Sequence, residues 1–474
     1  MRAYLDQENL ENSIAAVYDI LEKTGVRFEN KKACELLQEH GAEVEGDIVR
    51  MPRKLVDEAL EAVPKIEYGE AHAPRIAGAS LFSDAPFIID ETNGSIRRCT
   101  VSDQIKMYKL NDTSEIYEMA TPGCADPEDI HMGDGFVAQI AMLLKYSVKY
   151  PSIGIRATAS NSRGKDVYGA ARRGFRLVRE FYDTWDEPVL SQGICPNPPL
   201  TYDKESLENL QAAIDEKQAI GISPCTLSYM TGPERIMDLV IHDFAMALAG
   251  VCYIGLAAPG LDVSISEFSA SSDMRTAQPV YSCAESLRLQ VIFYELARFL
   301  RLPCSICGCY GDGVVSDDYQ AGMEAMLTML QPFRETELDE LWCYPGHLAG
   351  FSCGSFRKAI LDEETIRLAN RTLRGMDMKI RPDLAEYLAA GRAKAGFLSL
   401  GKMKNYKEDQ YMTAIFDKGG VAKAMNKGTE AEAARVVKDR VDQILQERFQ
   451  AYEPPALTAA QKKLLEEFLP AQCR

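Results

Sequence analysis

From about residue 101 the chain repeats one pattern: a strand-length apolar run, a loop carrying Pro, Gly, Asn or Asp, then an amphipathic helix. The runs are Ile116 to Ala120, Ser152 to Ala157, Val189 to Ile194, Ile222 to Leu227, Val263 to Glu267, Pro303 to Gly308 and Glu340 to Tyr344. The helices between them are His131 to Lys145, Gly164 to Thr184, Lys204 to Lys217, Pro233 to Ala258, Ala284 to Leu300 and Tyr319 to Leu330. Strands alternating with helices at this spacing argue for a parallel sheet. A strand count near eight favours a closed (β/α)8 TIM barrel over an open doubly wound sheet. The eighth strand is expected between Gly375 and Leu400, as Met376 to Ile380 or Gly396 to Leu400.

The flanks differ. Residues 1 to about 65 read as a helical cap: Leu10, Ile14, Val17, Ile20 and Leu21 form a stripe ending at Gly25. Helices follow at Lys31 to Glu39 and from Pro52 to Pro64. Residues 66 to 100 read as a small β element or hairpin, with Asp90 and Glu91 at its turn. The tail reads as a helix from Ala431 to Phe449, a Pro454-Pro455 linker and a short helix from Ala459 to Phe468. The expected organisation is a cap with a β element over 1–100, a barrel over 101–425 and a helical extension over 426–474.

Composition narrows the function classes. A net charge of −17 argues against general nucleic-acid binding, which needs basic surface. The N-terminus lacks the apolar core of a signal peptide. The run Phe244 to Leu261 nears membrane-span length, but Pro259 breaks it and Asp243 and Asp262 flank it, so it reads as a buried helix end. Thirteen cysteines in apolar runs fit free thiols in a reducing cytoplasm.

Leu302 to Glu324 is the most informative βα unit: a buried strand, a loop with Gly308, Gly311 and Gly313, and a helix capped by Asp317-Asp318. Loops after parallel strands converge on one face. That face collects Arg156, the CPNPPL loop Cys195 to Leu200, Tyr229, Glu267, Tyr310, Asp312, Trp342, Tyr344, His347, Phe351 and Phe356. Aromatic residues with carboxylates suit a quaternary ammonium ion, which has no N–H to donate and binds through cation–π contact. No Walker A sequence or dinucleotide fingerprint is present. Cys304, Cys307 and Cys309 have ligand-like spacing, but alternation along a strand sends Cys304 and Cys307 to opposite faces, so no metal is expected.

These segments resemble the trimethylamine methyltransferase superfamily, in particular its non-pyrrolysine members that demethylate quaternary amines. The resemblance rests on LEKTGVRFEN (Leu21 to Asn30), IVRMPRKLVDEAL (Ile48 to Leu60), CPNPPL and DMRTAQP (Asp273 to Pro279). It also rests on LP…GCYGD…DDYQAGME and LAGFSCGSFRKAILDEE (Leu348 to Glu364). It implies methyl transfer from a betaine-type amine to cob(I)alamin carried by a cognate corrinoid protein, with no cofactor held tightly by this chain. Tyr310 stands where the trimethylamine enzymes carry pyrrolysine. Tyrosine cannot form the imine adduct proposed for pyrrolysine, which points to a quaternary substrate. The expected catalytic set is Tyr310 near the transferred methyl, with Asp312 and Glu267 offering negative potential. Tyr229, Phe351 and Phe356 are expected cage walls, and His347 or Arg156 would meet a substrate carboxylate. Expected partners are the small amine, the corrinoid protein and further copies of this chain, without nucleic acid or membrane. The competing readings are a zinc-dependent methanol or thiol:corrinoid methyltransferase and a non-catalytic betaine-binding protein.

Overall fold

The computed structural model describes residues 4–68, 73–81, 84–121, 127–130, 135–151, 156–375, 378–400, 406, 410–426 and 428–473. The fold is mixed α/β. The strands of the main sheet are β1 (Arg75–Gly78), β2 (Phe87–Ile89), β3 (Ile96–Arg98), β4 (Ser191–Ile194), β5 (Ala219–Ile222), β6 (Val263–Ser266), β7 (Cys304–Tyr310), β8 (Glu340–Leu348) and β9 (Cys353–Gly354). Their order is β3-β2-β9-β8-β7-β6-β5-β4, and β1 also pairs with β8. From β4 through β8 to β1 each pairing is parallel. Isolated parallel bridges join Gly78 to Tyr117 and Ala120 to Pro151. The stretch Ile116 to Ala120 therefore pairs only at single points, and most of the run from Ser152 lies outside the described residues.

The strand beside β8 is a correction to the sequence reading. It is β1, from the stretch read as a small β element, and not a segment near residue 390. Residues 378–380 form no strand, and Gly396 to Leu400 is bend and turn; Met376 and Asp377 lie outside the described residues. Four residues, Arg-Ile-Ala-Gly, suffice for β1 because β8 and Tyr117 flank it. Gly78 permits that closeness, since a Cβ there would sit 2.9 Å from the Ile116 carbonyl oxygen. A second correction concerns Ile222 to Leu227. The pairing falls earlier, on Ala219–Ile222, and Pro224, having no N–H, suits the loop that follows. The hairpin reading at 66–100 matches β2 and β3, which pair antiparallel around Asp90 to Ser95.

The N-terminal region is not purely helical. Val26–Phe28 pairs antiparallel with Ile48–Arg50 and parallel with Thr201–Tyr202. Helix Arg53–Glu61 packs on the long helix Ile236–Ala257, which includes most of the apolar run and is buried along most of its length. That run is core of the fold. At the other end, helix Glu430–Ala451 packs on helix Phe356–Leu373 through the Phe356–Phe449 ring pair. Arg448 reaches Glu363 at 2.9 Å, and Arg357 reaches Asp442 at 2.6 Å.

Gly255 sets the approach of the N-terminal helices, because a Cβ there would lie 2.4 Å from the Ala59 carbonyl oxygen. Backbone cannot yield as a flexible side chain does. Gly255→Val should therefore lower unfolding free energy by about 1–3 kcal/mol, read from urea denaturation; an unchanged midpoint would refute this packing.

Candidate active site

A cavity of about 430 Å³ opens among the parallel strands. Its lining alternates along them: Ser191, Gly193 and Cys195; Gly221, Ser223 and Cys225; Ser266 and Phe268; Ser305 and Cys307; Trp342 and Tyr344. Period two marks one face of each strand. Register stacks these residues in layers, with Gly193 beside Gly221, Ser266 beside Ser305 and Cys307 beside Trp342. Gly, Ser and Cys at these positions are too small to fill the space between the strands.

One wall is aromatic. The Phe351 ring lies 4.9 Å from His347, 5.0 Å from Tyr310, 5.1 Å from Tyr281, 6.0 Å from Phe268 and 6.1 Å from Tyr344. Most of these contacts are edge or tilted, which leaves ring faces for other partners. Phe351 adopts φ +70°, a left-handed conformation costly for a large side chain. The loop is held there by Ala349 N–H donating to the Gly313 carbonyl at 2.9 Å and Gly350 N–H donating to Gly311 at 3.2 Å. The glycine loop after β7 thus fixes the aromatic residue contributed after β8.

Asp84 is the carboxylate in the lining. Its Oδ1 is buried without a hydrogen-bond partner among the described residues. Burial pushes its carboxyl up to about 7; Cys195 adds to the rise and the Arg156 guanidinium opposes it. Cys195, in the same lining, is held down to about 7, chiefly by the neighbouring Cys225 thiol and then by Arg156.

The expected site residues separate into three groups. His347 and Phe351 line the cavity. His347 Nδ1 lies 2.9 Å from the Tyr344 carbonyl, which only accepts, so this nitrogen carries the proton. Tyr310, Asp312, Glu267 and Arg156 stand behind or beside the lining. Tyr310 is buried against Phe351 and Tyr281, and its hydroxyl accepts from Gln290 Nε2 at 2.5 Å. The strand bulges between Gly308 and Tyr310, with Cys309 at φ +61°, so simple alternation does not place its ring. Asp312 accepts from the Tyr281 and Ser282 N–H groups at 3.0 and 2.8 Å. Its carboxylate anchors the backbone of an aromatic wall residue. Glu267 accepts from Ser269 N–H at 2.6 Å, and burial followed by the charge of Asp243 raises its pKa well above normal. Arg156 donates to the Cys195 carbonyl at 3.3 Å and to Ser206 Oγ at 3.5 Å.

Two expected wall residues are elsewhere. Tyr229 is 64% exposed on the loop beyond β5, and Phe356 packs in the core against Phe449. Phe356 opens a helix whose first turn turns inward; an aromatic count along the chain cannot distinguish that from a rim position. Sequence reasoning missed Asp84, Phe268 and Tyr281. Asp84 lies before the region read as barrel. Phe268 follows Glu267 by one residue, where alternation alone could have preferred it. Cys307 lines the cavity and Cys304 packs outside it, as strand alternation requires. Among the described residues no group of three or more His, Cys, Asp or Glu is placed to hold a metal ion.

The trimethylamine methyltransferase (MTTB) family model matches residues 2–472. Proline betaine:corrinoid methyltransferase of Eubacterium limosum is 31% identical, over 95% of this chain and 94% of that protein. L-carnitine:corrinoid methyltransferase of the same organism is 29% identical, over 99% and 97%. The solved hydroxylamine complex of MtmB superposes with a TM-score of 0.50 at 10% identity, covering 96% of this chain and 89% of that one, a likeness of fold.

The Asp84 carboxyl makes stability depend on pH with a definite sign. The folded chain holds this proton more tightly than the unfolded one, so stability is lost as pH rises from the ordinary value of 3.8 to about 7. Asp84→Asn should match wild type below that window and exceed its Tm above it, by scanning calorimetry. A Tm difference independent of pH would contradict the assignment.

Proposed function

We propose that this chain, which belongs to the trimethylamine methyltransferase (MTTB) family, demethylates a quaternary amine and passes the methyl to cob(I)alamin on a cognate corrinoid protein. The observation that carries this reading is the cavity itself: Phe268, Tyr281, Tyr344, His347 and Phe351 in its lining, together with the Asp84 carboxyl, whose Oδ1 has no hydrogen-bond partner among the described residues. Relatives named for proline betaine and L-carnitine, both quaternary ammonium compounds, support it.

The corrinoid supplies the nucleophile; the C–N bond breaks with its electron pair on nitrogen, and a neutral tertiary amine leaves. No protein acid has to protonate that leaving group. The aromatic faces hold the cation and Asp84 supplies its counter-charge. Tyr310 braces Phe351 and Tyr281, and Asp312 pins the Tyr281 backbone, so the wall is positioned before substrate arrives. Glu267 adds negative potential only when ionised, which its burial opposes. Arg156, held beside Cys195, provides positive potential for a carboxylate on the substrate. Charge on nitrogen disappears as the bond breaks, so a site that desolvates the cation favours that step.

In this reading the parallel strands close as a (β/α)8 barrel through β1, the bridges at Tyr117 and Ala120, and β4 to β8. The helical regions before residue 101 and after 425 cap and extend it, with β1 lent to the ring by the first of them. The corrinoid protein meets the mouth formed by the loops after the strands, and the enzyme works in the cytoplasm as a homo-oligomer.

Turnover with cob(I)alamin tests the activity, using glycine betaine, proline betaine, carnitine, choline and trimethylamine. Demethylation of a quaternary member is expected; turnover of trimethylamine alone, or of none, overturns the reading. Phe351→Ala removes a desolvated cation–π face worth about 2 kcal/mol, so KM should rise roughly 30-fold. Gly221→Leu should fill the cavity and abolish turnover while the protein stays folded by circular dichroism.

A further inference from the structure

Cys195 and Cys225 stand just past the ends of β4 and β5, neighbouring strands that pair in parallel. The ladder runs up to them, since Ser223 N–H donates to the Ile194 carbonyl at 2.9 Å. The residues on either side of Cys225 are pinned. Phe268 N–H donates to the Pro224 carbonyl at 3.1 Å, and Thr226 N–H donates to Ser269 Oγ at 2.8 Å. The Cys195 carbonyl accepts from Arg156 at 3.3 Å. Cys225 is exposed and Cys195 half-buried, and both line the cavity. Their thiols are in hydrogen-bonding contact with each other.

The proposed methyl transfer uses neither thiol. The other described cysteines differ from this pair. Cys309 and Cys343 also touch, but both are fully buried and take no part in the cavity lining. Cys307 reaches the lining, yet burial pushes its thiol up to about 12, and its neighbour is the Tyr344 hydroxyl. At Cys195 the Cys225 contact and then the Arg156 guanidinium favour the thiolate. At Cys225 the same contact, with burial, keeps the proton on. A thiolate beside a cation, reachable from a cavity and touching a second thiol, is the arrangement that oxidants attack selectively.

We infer that Cys195 and Cys225 form a dithiol modification site that hydrogen peroxide oxidises to a disulfide in the cavity wall. The Cys195 sulfur attacks one peroxide oxygen, the O–O bond breaks, and a sulfenic acid forms as the other oxygen leaves as water. The Cys225 sulfur then displaces the sulfenic oxygen as a second water, and the S–S bond closes. Two electrons and both thiol protons pass to the peroxide, so two thiols and one peroxide give one disulfide and two waters. The product ties the CPNPPL loop to the loop after β5. The inference rests on the placement of the two thiols and does not depend on the proposed activity.

Peptide mapping of the full-length chain tests it. The protein is treated with one equivalent of hydrogen peroxide, its remaining thiols are alkylated, and the peptides are mapped by mass spectrometry without reduction. A Cys195–Cys225 link is expected, with two of the thirteen thiols lost and both recovered by dithiothreitol. The pair should react about tenfold faster than the buried thiols. Cys225→Ser should stop at a Cys195 sulfenic acid, trapped by dimedone, and Cys195→Ser should lose the fast reaction. Far-ultraviolet circular dichroism checks that both variants fold; should either fail to, the wild-type map decides alone. A wild-type map without the 195–225 link overturns the proposal, as does oxidation spread evenly over the other cysteines.

Discussion

Inward positions on the parallel strands are occupied by Ser191, Gly193, Gly221, Ser223, Ser266, Ser305 and Cys307, and small side chains there hold the centre of the sheet open. The alternate positions on the same strands are Ile194, Ile220, Ile222, Ile265, Ile306 and Leu341, all buried. Each strand therefore does two jobs with period two. One face anchors the surrounding helices through apolar burial, which stabilises by roughly 25 cal/mol per Å² removed from water. The other face gives up that packing to leave space for a ligand. Such a site is affordable only because the outer layer is well packed, with helix Ile236–Ala257 buried along most of its length.

The aromatic wall is held from behind by polar contacts that do not themselves face the cavity. Gln290 bridges two points of one strand, donating to the Tyr310 hydroxyl and accepting from Cys307 N–H at 3.3 Å. Glu324 accepts from Asp312 N–H at 2.8 Å, and Asp312 in turn holds the Tyr281 and Ser282 backbone. Lys358 and Asp362 form a buried ion pair at 2.6 Å, and Asp362 also accepts from Gly346 N–H at 2.8 Å. A buried pair of this kind is weak evidence for stability, because desolvation offsets much of the attraction. Its visible effect is to fix the backbone just before His347. Carboxylates expected at the ammonium thus act on backbone geometry, and Asp84 is the carboxylate that reaches the lining.

The alternation of strand and helix was legible from apolar runs, because a strand buried on both faces and an amphipathic helix leave different periodicities. Helices Ala284–Phe299 and Tyr319–Glu335 begin at the expected residues. β1 was missed because its four residues carry little apolar signal and its partner, β8, lies over 260 residues away in the chain. The site was legible in part. His347, near the end of β8, and Phe351, in the loop after it, line the cavity, whereas Phe356, five residues beyond Phe351, has already entered a helix. Tyr310 is expected beside the transferred methyl, yet a bulge at Cys309 puts its ring behind the wall, against Phe351 and Tyr281.

Sequence by itself determined the α/β class, the parallel pairing expected of it and the concentration of aromatic residues after the later strands. These are properties of local order, written in hydrophobic period and in glycine and proline placement. Only the tertiary structure decided which side chains face the cavity, since that depends on register, bulges and left-handed turns. It also decided that Asp84, from a segment before the expected barrel, joins residues from the far end of the chain. That meeting follows from β1 pairing with β8, a contact between distant segments that no local pattern encodes.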